Sequence, residues 1–303
     1  MNFALQLLPD FALILCGLVL CRATALDRSV WEPVERLVYF FLFPLLLFHS
    51  IVRNTLDWQA AGHLMGAGLC LAILGIVLAH SLPRWPWLGR HLDRRQHAAS
   101  AQVAFRFNSF IALALADKVA GPAGTPLVAV LIGTLVPVYN VAAVWPMVRH
   151  AQLGLARELR RNPLIIATVA GLACNLAGLG LPTWLEPSLA RIGQSSLALG
   201  LMAAGAGMQF GAMASGKCLG ALTLAIKHLG LPLIALCMAR VWALDLTQTQ
   251  VLLMFSALPT ASSCYVLAAR MGYDGPYVAG LVTLSTLLGM LSLPLALGLL
   301  ATL

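Results

Sequence analysis

Arg106, Asn108 and Ser109 stand close together in one apolar run, and Pro259, Thr260 and Ser263 in another. Lys227 and His228 interrupt a third run, and Asn140 a fourth. Guanidinium and ammonium groups at membrane depth supply positive charge, and amides and hydroxyls supply hydrogen bonds. A proline leaves the carbonyl one turn earlier without its helical donor. In hydrocarbon each of these groups must face a cavity or a partner within the protein, because no water is there to satisfy it. The chemistry such a set can do is recognition of an anion. It is poorly equipped to make or break bonds, since the runs hold no Asp pair, no His-Glu metal motif and no nucleophile with an evident base. Neither an enzyme nor a metal or cofactor site is expected. Acids are almost absent at membrane depth: Asp10 lies near the outer end of the first run and Asp117 at the end of the fourth, too few for a carboxylate relay of protons or cations.

Each residue also has a structural reading. Ser256, Thr260 and Ser263 fall at i, i+4 and i+7, one stripe if the helix continues through Pro259; hydroxyls there meet a ligand or bond carbonyls of their own or a neighbouring helix. Asn108 and Asn140, the latter just after Pro137, are ligand contacts or helix-to-helix hydrogen bonds. Arg106, two residues from Asn108, points to a different helix face, either as a ligand contact or as a structural cap or ion-pair member. Lys227 contacts substrate directly or tethers carbonyls freed by a broken helix, and His228 beside it adds to a positive field. Half-helices opened at Pro259 would offer free N–H groups and a positive dipole end to an anion. His49, His63, His80 and most tryptophans read as interfacial. The seven cysteines read as small apolar packing residues without a disulfide framework.

Membrane helices must position these residues. Hydrophobic residues make up 60% of the 303-residue chain and charged residues 10%, with a mean hydropathy of +0.87; a soluble domain carries about 25% charged residues. Runs long enough to span, at about 20 residues each, occur near Phe3–Cys21, Val34–Val52, Ala60–Leu82, Ala98–Leu115, Thr125–Val148, Pro163–Leu181, Ser195–Met213, Leu219–Ala239, Gln248–Ala269 and Pro276–Leu300. The net charge of +8 is read by position and not as affinity for nucleic acid. With the N-terminus outside, the inside loops hold Arg22, Arg28, Arg36, Arg84, Arg90, Arg94, Arg95, Arg149, Arg157, Arg160, Arg161, Lys217 and Arg270. The outside loops hold only Arg53, Lys118, Arg191 and Arg240. That asymmetry predicts ten spans with both termini outside. No basic residue precedes the first run, which therefore reads as a span and not as a cleaved signal. The loop Arg149–Asn162 reads as a short basic surface helix facing lipid headgroups, and Asn162-Pro163 as a helix start.

Ten spans are two fives, and an odd number per half inserts the second half upside down. Residues 1–153 (spans one to five) and 154–303 (spans six to ten) are thus expected to form two inverted repeats. Arg106–Ser109 lies in the fourth span of the first half, and the Pro259 cluster in the fourth of the second. Paired interruptions point to a transporter whose site lies near the midplane, where the two breaks meet. The fold class expected is an all-α polytopic membrane protein.

Four stretches carry a resemblance: Leu37-Val-Tyr-Phe-Phe-Leu-Phe-Pro-Leu-Leu-Leu-Phe, Asn162-Pro-Leu-Ile-Ile-Ala-Thr-Val-Ala-Gly-Leu, Lys227-His-Leu-Gly-Leu-Pro, and Ala257-Leu-Pro-Thr-Ala-Ser-Ser-Cys-Tyr-Val-Leu-Ala. In order and spacing they resemble the auxin efflux carrier family, in its bacterial branch of malonate and malate permease-like proteins. The resemblance implies a ten-helix inverted-repeat fold like that of sodium/proton antiporters and bile acid transporters, with spans four and nine unwound and crossing. It implies an elevator motion, spans three to five and eight to ten moving past a scaffold of spans one, two, six and seven that often dimerises. It implies small carboxylate substrates and, for a bacterial protein, the inner membrane. By motif, Asn108 is the asparagine of the first crossover and Pro259 the proline of the second, while Asn140 and Lys227 match polar positions of spans five and eight. Where the family often reads Asn-Thr-Gly-aromatic-Ile-Gly-Leu-Pro, this chain has Asn108-Ser-Phe-Ile-Ala-Leu-Ala, so span four is expected to be less fully broken. A sodium-coupled bile acid-type symporter and a non-transporting sensor on the same fold are the alternative readings.

Overall fold

A computed structural model of the protein describes residues 3–53, 58–86, 89, 92–147, 163–208, 216–261 and 263–299. Among these residues the secondary structure is entirely helical. Helices α1 (Phe3–Ala23), α2 (Arg28–Leu37), α3 (Phe43–Arg53), α4 (Trp58–Ser81), α5 (Arg94–Phe105), α6 (Ser109–Ala120) and α7 (Gly124–Val144) make up the first part. The second comprises α8 (Pro163–Leu176), α9 (Glu186–Ala206), α10 (Lys217–Ala225), α11 (Leu231–Val241), α12 (Leu246–Ala257), α13 (Ser263–Arg270) and α14 (Gly275–Gly298). Helical residues overlap each apolar run of the sequence. Four described stretches are long and apolar enough to cross a membrane: Ala61–Arg84, Arg94–Val144, Lys217–Val241 and Gly275–Gly298. The loop Arg149–Asn162 and the boundary at residues 153–154 lie outside the described residues.

Helix starts account for much of the scarce acid. Asp27, Asp93, Asp245 and Asp274 each stand at an N-cap and accept backbone N–H groups of the first turn, from Ser29, from Arg95 and Gln96, from Gln248 and from Tyr277. Such caps satisfy donors that a helix start leaves orphaned, at about 1 kcal/mol each. Two helical stretches pass through π-turns, Val38–Leu42 between α2 and α3 and Ile226–Gly230 between α10 and α11. Both have a proline two residues beyond, Pro44 and Pro232. Proline has no N–H to continue the i→i−4 ladder. In each case the residue before it bonds five residues back, Phe43 N to Val38 O and Leu231 N to Ile226 O.

Helix α1 packs on α9, α3 on α8 and α9, and α4 on α5, α7 and α11; α6 packs on α7, α9 and α12, and α14 on α12 and α13. Small residues bring α1 and α9 together: a Cβ at Gly17 would strike the Met202 backbone, and one at Gly205 the Ile14 carbonyl. Such contacts are how membrane helices gain packing energy where lipid offers no hydrophobic drive. A polar link joins α2 to α13. Arg28 binds Glu35 through both oxygens, at 2.6 and 3.0 Å, and donates to the Tyr265 hydroxyl at 2.8 Å.

Candidate functional site at the crossing of two broken helices

The first break is made by an asparagine. Helix α5 ends at Phe105, Arg106 is extended (φ −71°, ψ 156°), and Asn108 caps α6 with its Oδ1 accepting from Phe110 N at 2.9 Å and Ile111 N at 3.3 Å. The expectation of a less fully broken span four is therefore corrected. No proline is required where a side chain can satisfy two donors of a new helix start. Arg106 is not on a helix face at all.

The second break follows α12. Residues 258–261 are non-helical, and α13 resumes at Ser263. The stripe expected of Ser256, Thr260 and Ser263 fails because the helix is not continuous. Ser256 donates to Leu253 O at 2.7 Å within its own helix, Ser263 is exposed, and Thr260 is wholly buried.

The two breaks are stitched together. Asn108 N donates to Pro259 O at 2.8 Å, Thr260 Oγ1 to Val103 O at 2.7 Å, and Gln102 Nε2 to Cys264 O at 3.1 Å. The first two bonds use backbone groups that the interruptions had left without helical partners, which is how irregular backbone survives at membrane depth. The Pro259 ring fits against Gly289 of α14, where a Cβ would meet its Cγ. Phe107 packs against Phe255 with ring centroids 4.2 Å apart.

A chain of hydroxyls supports Thr260 from behind. Ser285 Oγ accepts Thr260 N at 3.0 Å and donates to Thr260 Oγ1 at 3.1 Å. A hydroxyl has one proton. The 2.9 Å contact of His228 Nε2 with Ser285 Oγ is therefore an N–H donating to oxygen, and the other ring nitrogen meets Ser292 Oγ at 2.8 Å. His228 thus serves as a strut between α14 and the second break.

Two cations border the crossing. Arg106 donates to Gln102 Oε1 at 3.0 Å and to Asn140 Oδ1 at 3.2 Å, both neutral amide oxygens. Lys227 is 1% exposed and has no hydrogen bond or ion pair among the described residues. It sits in the π-turn, which packs against α4, α5, α12 and α14. Both cations lie within electrostatic reach of the buried Cys264 thiol, on the α13 side of the second break. Seven of the described carboxylates are committed elsewhere. Besides the four caps, Asp117 accepts from Thr125, and Glu32 and Glu35 lie against Arg28. An unpaired buried charge costs several kcal/mol, and a buried amine without a partner escapes that cost by giving up its proton; an anion arriving beside Arg106 and Lys227 would instead offset it. The Asn108 amide nitrogen and the Ser109 hydroxyl make no hydrogen bond among the described residues and stand at the N-terminus of α6, where the helix dipole is positive.

Of the residues singled out in the sequence, Arg106, Asn108, Ser109, Pro259 and Thr260 therefore meet at the crossing, with Lys227 beside it and Asn140 reaching it through Arg106. Thr260 spends its hydroxyl on the stitching, His228 serves Ser285 and Ser292, and Ser263 stands apart. Gln102, Ser285 and Ser292 were missed. Their one signal was an amide or hydroxyl inside an apolar run.

The family model described as Membrane transport protein matches residues 90–297, a stretch that contains both breaks and Lys227. Among curated proteins none matches the chain.

Proposed function

Since the chain belongs to the membrane transport protein family, that of the auxin efflux carriers, a family of transporters and not of enzymes, we propose that it carries small organic anions bearing carboxylates. The observation that carries the reading is the pair Arg106 and Lys227, neither with a carboxylate partner among the described residues, bordering the crossing of the two breaks. A carboxylate entering there meets positive charge, the Asn108 amide and the Ser109 hydroxyl. No chemical step is needed, only binding on one side and release on the other. In this reading ten spans form two inverted repeats, and spans three to five and eight to ten move as an elevator past a scaffold of spans one, two, six and seven. The scaffold provides the surface for a homodimer, and the protein belongs to the bacterial branch and to the inner membrane. Support comes from the order of the apolar runs, the loop charges and the position of each break in the fourth span of its half. With the interior positive inventory uncompensated, outward movement of an anion down the membrane potential is favoured by about 2.3 kcal/mol per charge per 100 mV.

A thermal-shift titration of the purified protein with malonate, malate, succinate and indole-3-acetate, with and without sodium, tests the proposal. At least one carboxylate is expected to raise the melting temperature of the wild type, and Lys227→Met to diminish that shift while folding normally. A shift unchanged in Lys227→Met, or none with any carboxylate, refutes the reading. A shift that requires sodium moves the assignment to the sodium-coupled symporter.

A further inference from the structure

At the opposite end of α5 from Arg106, two cavities of about 510 and 500 Å³ adjoin each other, sharing Arg94, Ala98 and Pro146 in their walls. The first is completed by Arg95, Met271, Gly272 and Tyr273 and the second by residues that include Arg84, His80 and His97. No acidic side chain is among the lining residues described. The nearest acid in sequence, Asp93, turns its carboxylate onto Arg95 N and Gln96 N at 2.8 and 3.3 Å and is spent as a helix cap. Arg95 is held in place, donating to Gly272 O at 3.0 Å and lying over the Tyr273 ring at 5.7 Å from its centroid. Arg94 is exposed and makes no hydrogen bond or ion pair among the described residues. His97 Nε2 meets Ala79 O at 2.8 Å and His80 Nε2 meets Ala142 O at 3.2 Å. Each must donate there, so neither Nε2 is available to an anion, and the arginines are the charged donors that remain.

We propose that the cavity between Arg94 and Arg95 is a second anion site, distinct from the crossing, for a carboxylate or phosphate oxyanion attached to an apolar body. Arg94 is unspent and Arg95 preorganised, and planar guanidinium groups match oxyanions through paired hydrogen bonds. Ala98, Pro146 and Met271 give the cavity an apolar side, which suits a hydrocarbon portion of the ligand. Helix α5 has 12 residues, about 18 Å at 1.5 Å per residue, so an anion held here waits one short helix away from the crossing. The inference stands apart from the transport reading, because it requires only that an oxyanion binds at this end of α5. Two sources share the chemistry, a soluble organic anion and the phosphate of an anionic lipid headgroup.

The experiment measures binding to the purified full-length protein by calorimetry with malonate and with inorganic phosphate, and by retention of phosphatidylglycerol against phosphatidylcholine in mixed micelles. The proteins compared are the wild type, the double variant Arg94→Gln/Arg95→Gln and Lys227→Met. The double variant is expected to lose at least about tenfold in affinity for one of these oxyanion probes, as befits the loss of charge-assisted hydrogen bonds, while Lys227→Met retains that component. Loss confined to malonate or phosphate identifies a soluble ligand; loss confined to phosphatidylglycerol identifies the lipid source. Binding of all probes unchanged in the double variant overturns the site, as does binding that vanishes in Lys227→Met alone. Should the double variant not fold, Arg94→Gln alone, at an exposed and unpaired position, carries the same comparison. If no carboxylate binds at Lys227 yet the arginine variants lose an oxyanion, the transport reading fails and this one stands.

Discussion

A single side chain at the crossing holds a role only through what its neighbours leave unsatisfied. Lys227 was legible in the sequence because a lone ammonium inside an apolar run has few places to go. His228, its neighbour, was legible only as a basic residue. Its work depends on Ser285 and Ser292, 57 and 64 residues away, and a serine inside a membrane helix is mute until its partner helix is known. Proton counting gives His228 a testable duty, to donate through Nε2 to a hydroxyl already committed to Thr260. His228→Ala should lower the unfolding free energy by about 1–3 kcal/mol and weaken carboxylate binding. His228→Gln, whose amide can donate from a similar reach, should recover part of both. Denaturant titration and ligand-induced thermal shift on the two variants check this. Equal losses in both would leave His228 as packing.

The behaviour of whole helices follows from where their backbone ladders stop. The proline at 259 announced one break. The other was foreseen as incomplete, because a proline was sought where an asparagine does the task by capping. Asn108→Ala should therefore cost about 1 kcal/mol of stability along with affinity, and a loss of affinity alone is not the expectation. Asn108→Asp separates the two effects: a carboxylate caps α6 as well or better, so stability should hold, while its negative charge should repel the anion and weaken carboxylate binding at least about tenfold. Melting temperature and calorimetric affinity measured together decide it. The π-turns were also written locally, in Pro44 and Pro232, but a proline signals only that the ladder must change. Which residue absorbs the change depends on the packing around it.

For the whole chain, the positions of apolar runs were the most legible feature, because about 20 consecutive apolar residues have little other use. Their assembly was less so. Helices that all read apolar give no sign of which face meets which neighbour, and the contact of α1 with α9 rests on Gly17 and Gly205, two of 26 glycines. Orientation is open to direct measurement. A single cysteine replacing Arg94, in a background without reactive native cysteines, should resist an impermeant thiol reagent added outside intact cells and react once the membrane is opened. Labelling from outside would reverse the topology read from the loop charges.

The link of Arg28 to Tyr265 carries a consequence for speed. Helix α2 packs with α9, whereas α13 packs with α14 and α5, so any displacement of the second broken helix past α2 must first give up a hydrogen bond from a charged, part-buried donor. A bond of that kind is worth about 1.5–3 kcal/mol. If the proposed elevator motion takes α13 past α2, surrendering that bond on the way to the barrier would lengthen the waiting time between excursions about ten- to a hundredfold. On that motion, one tyrosine hydroxyl would set its pace.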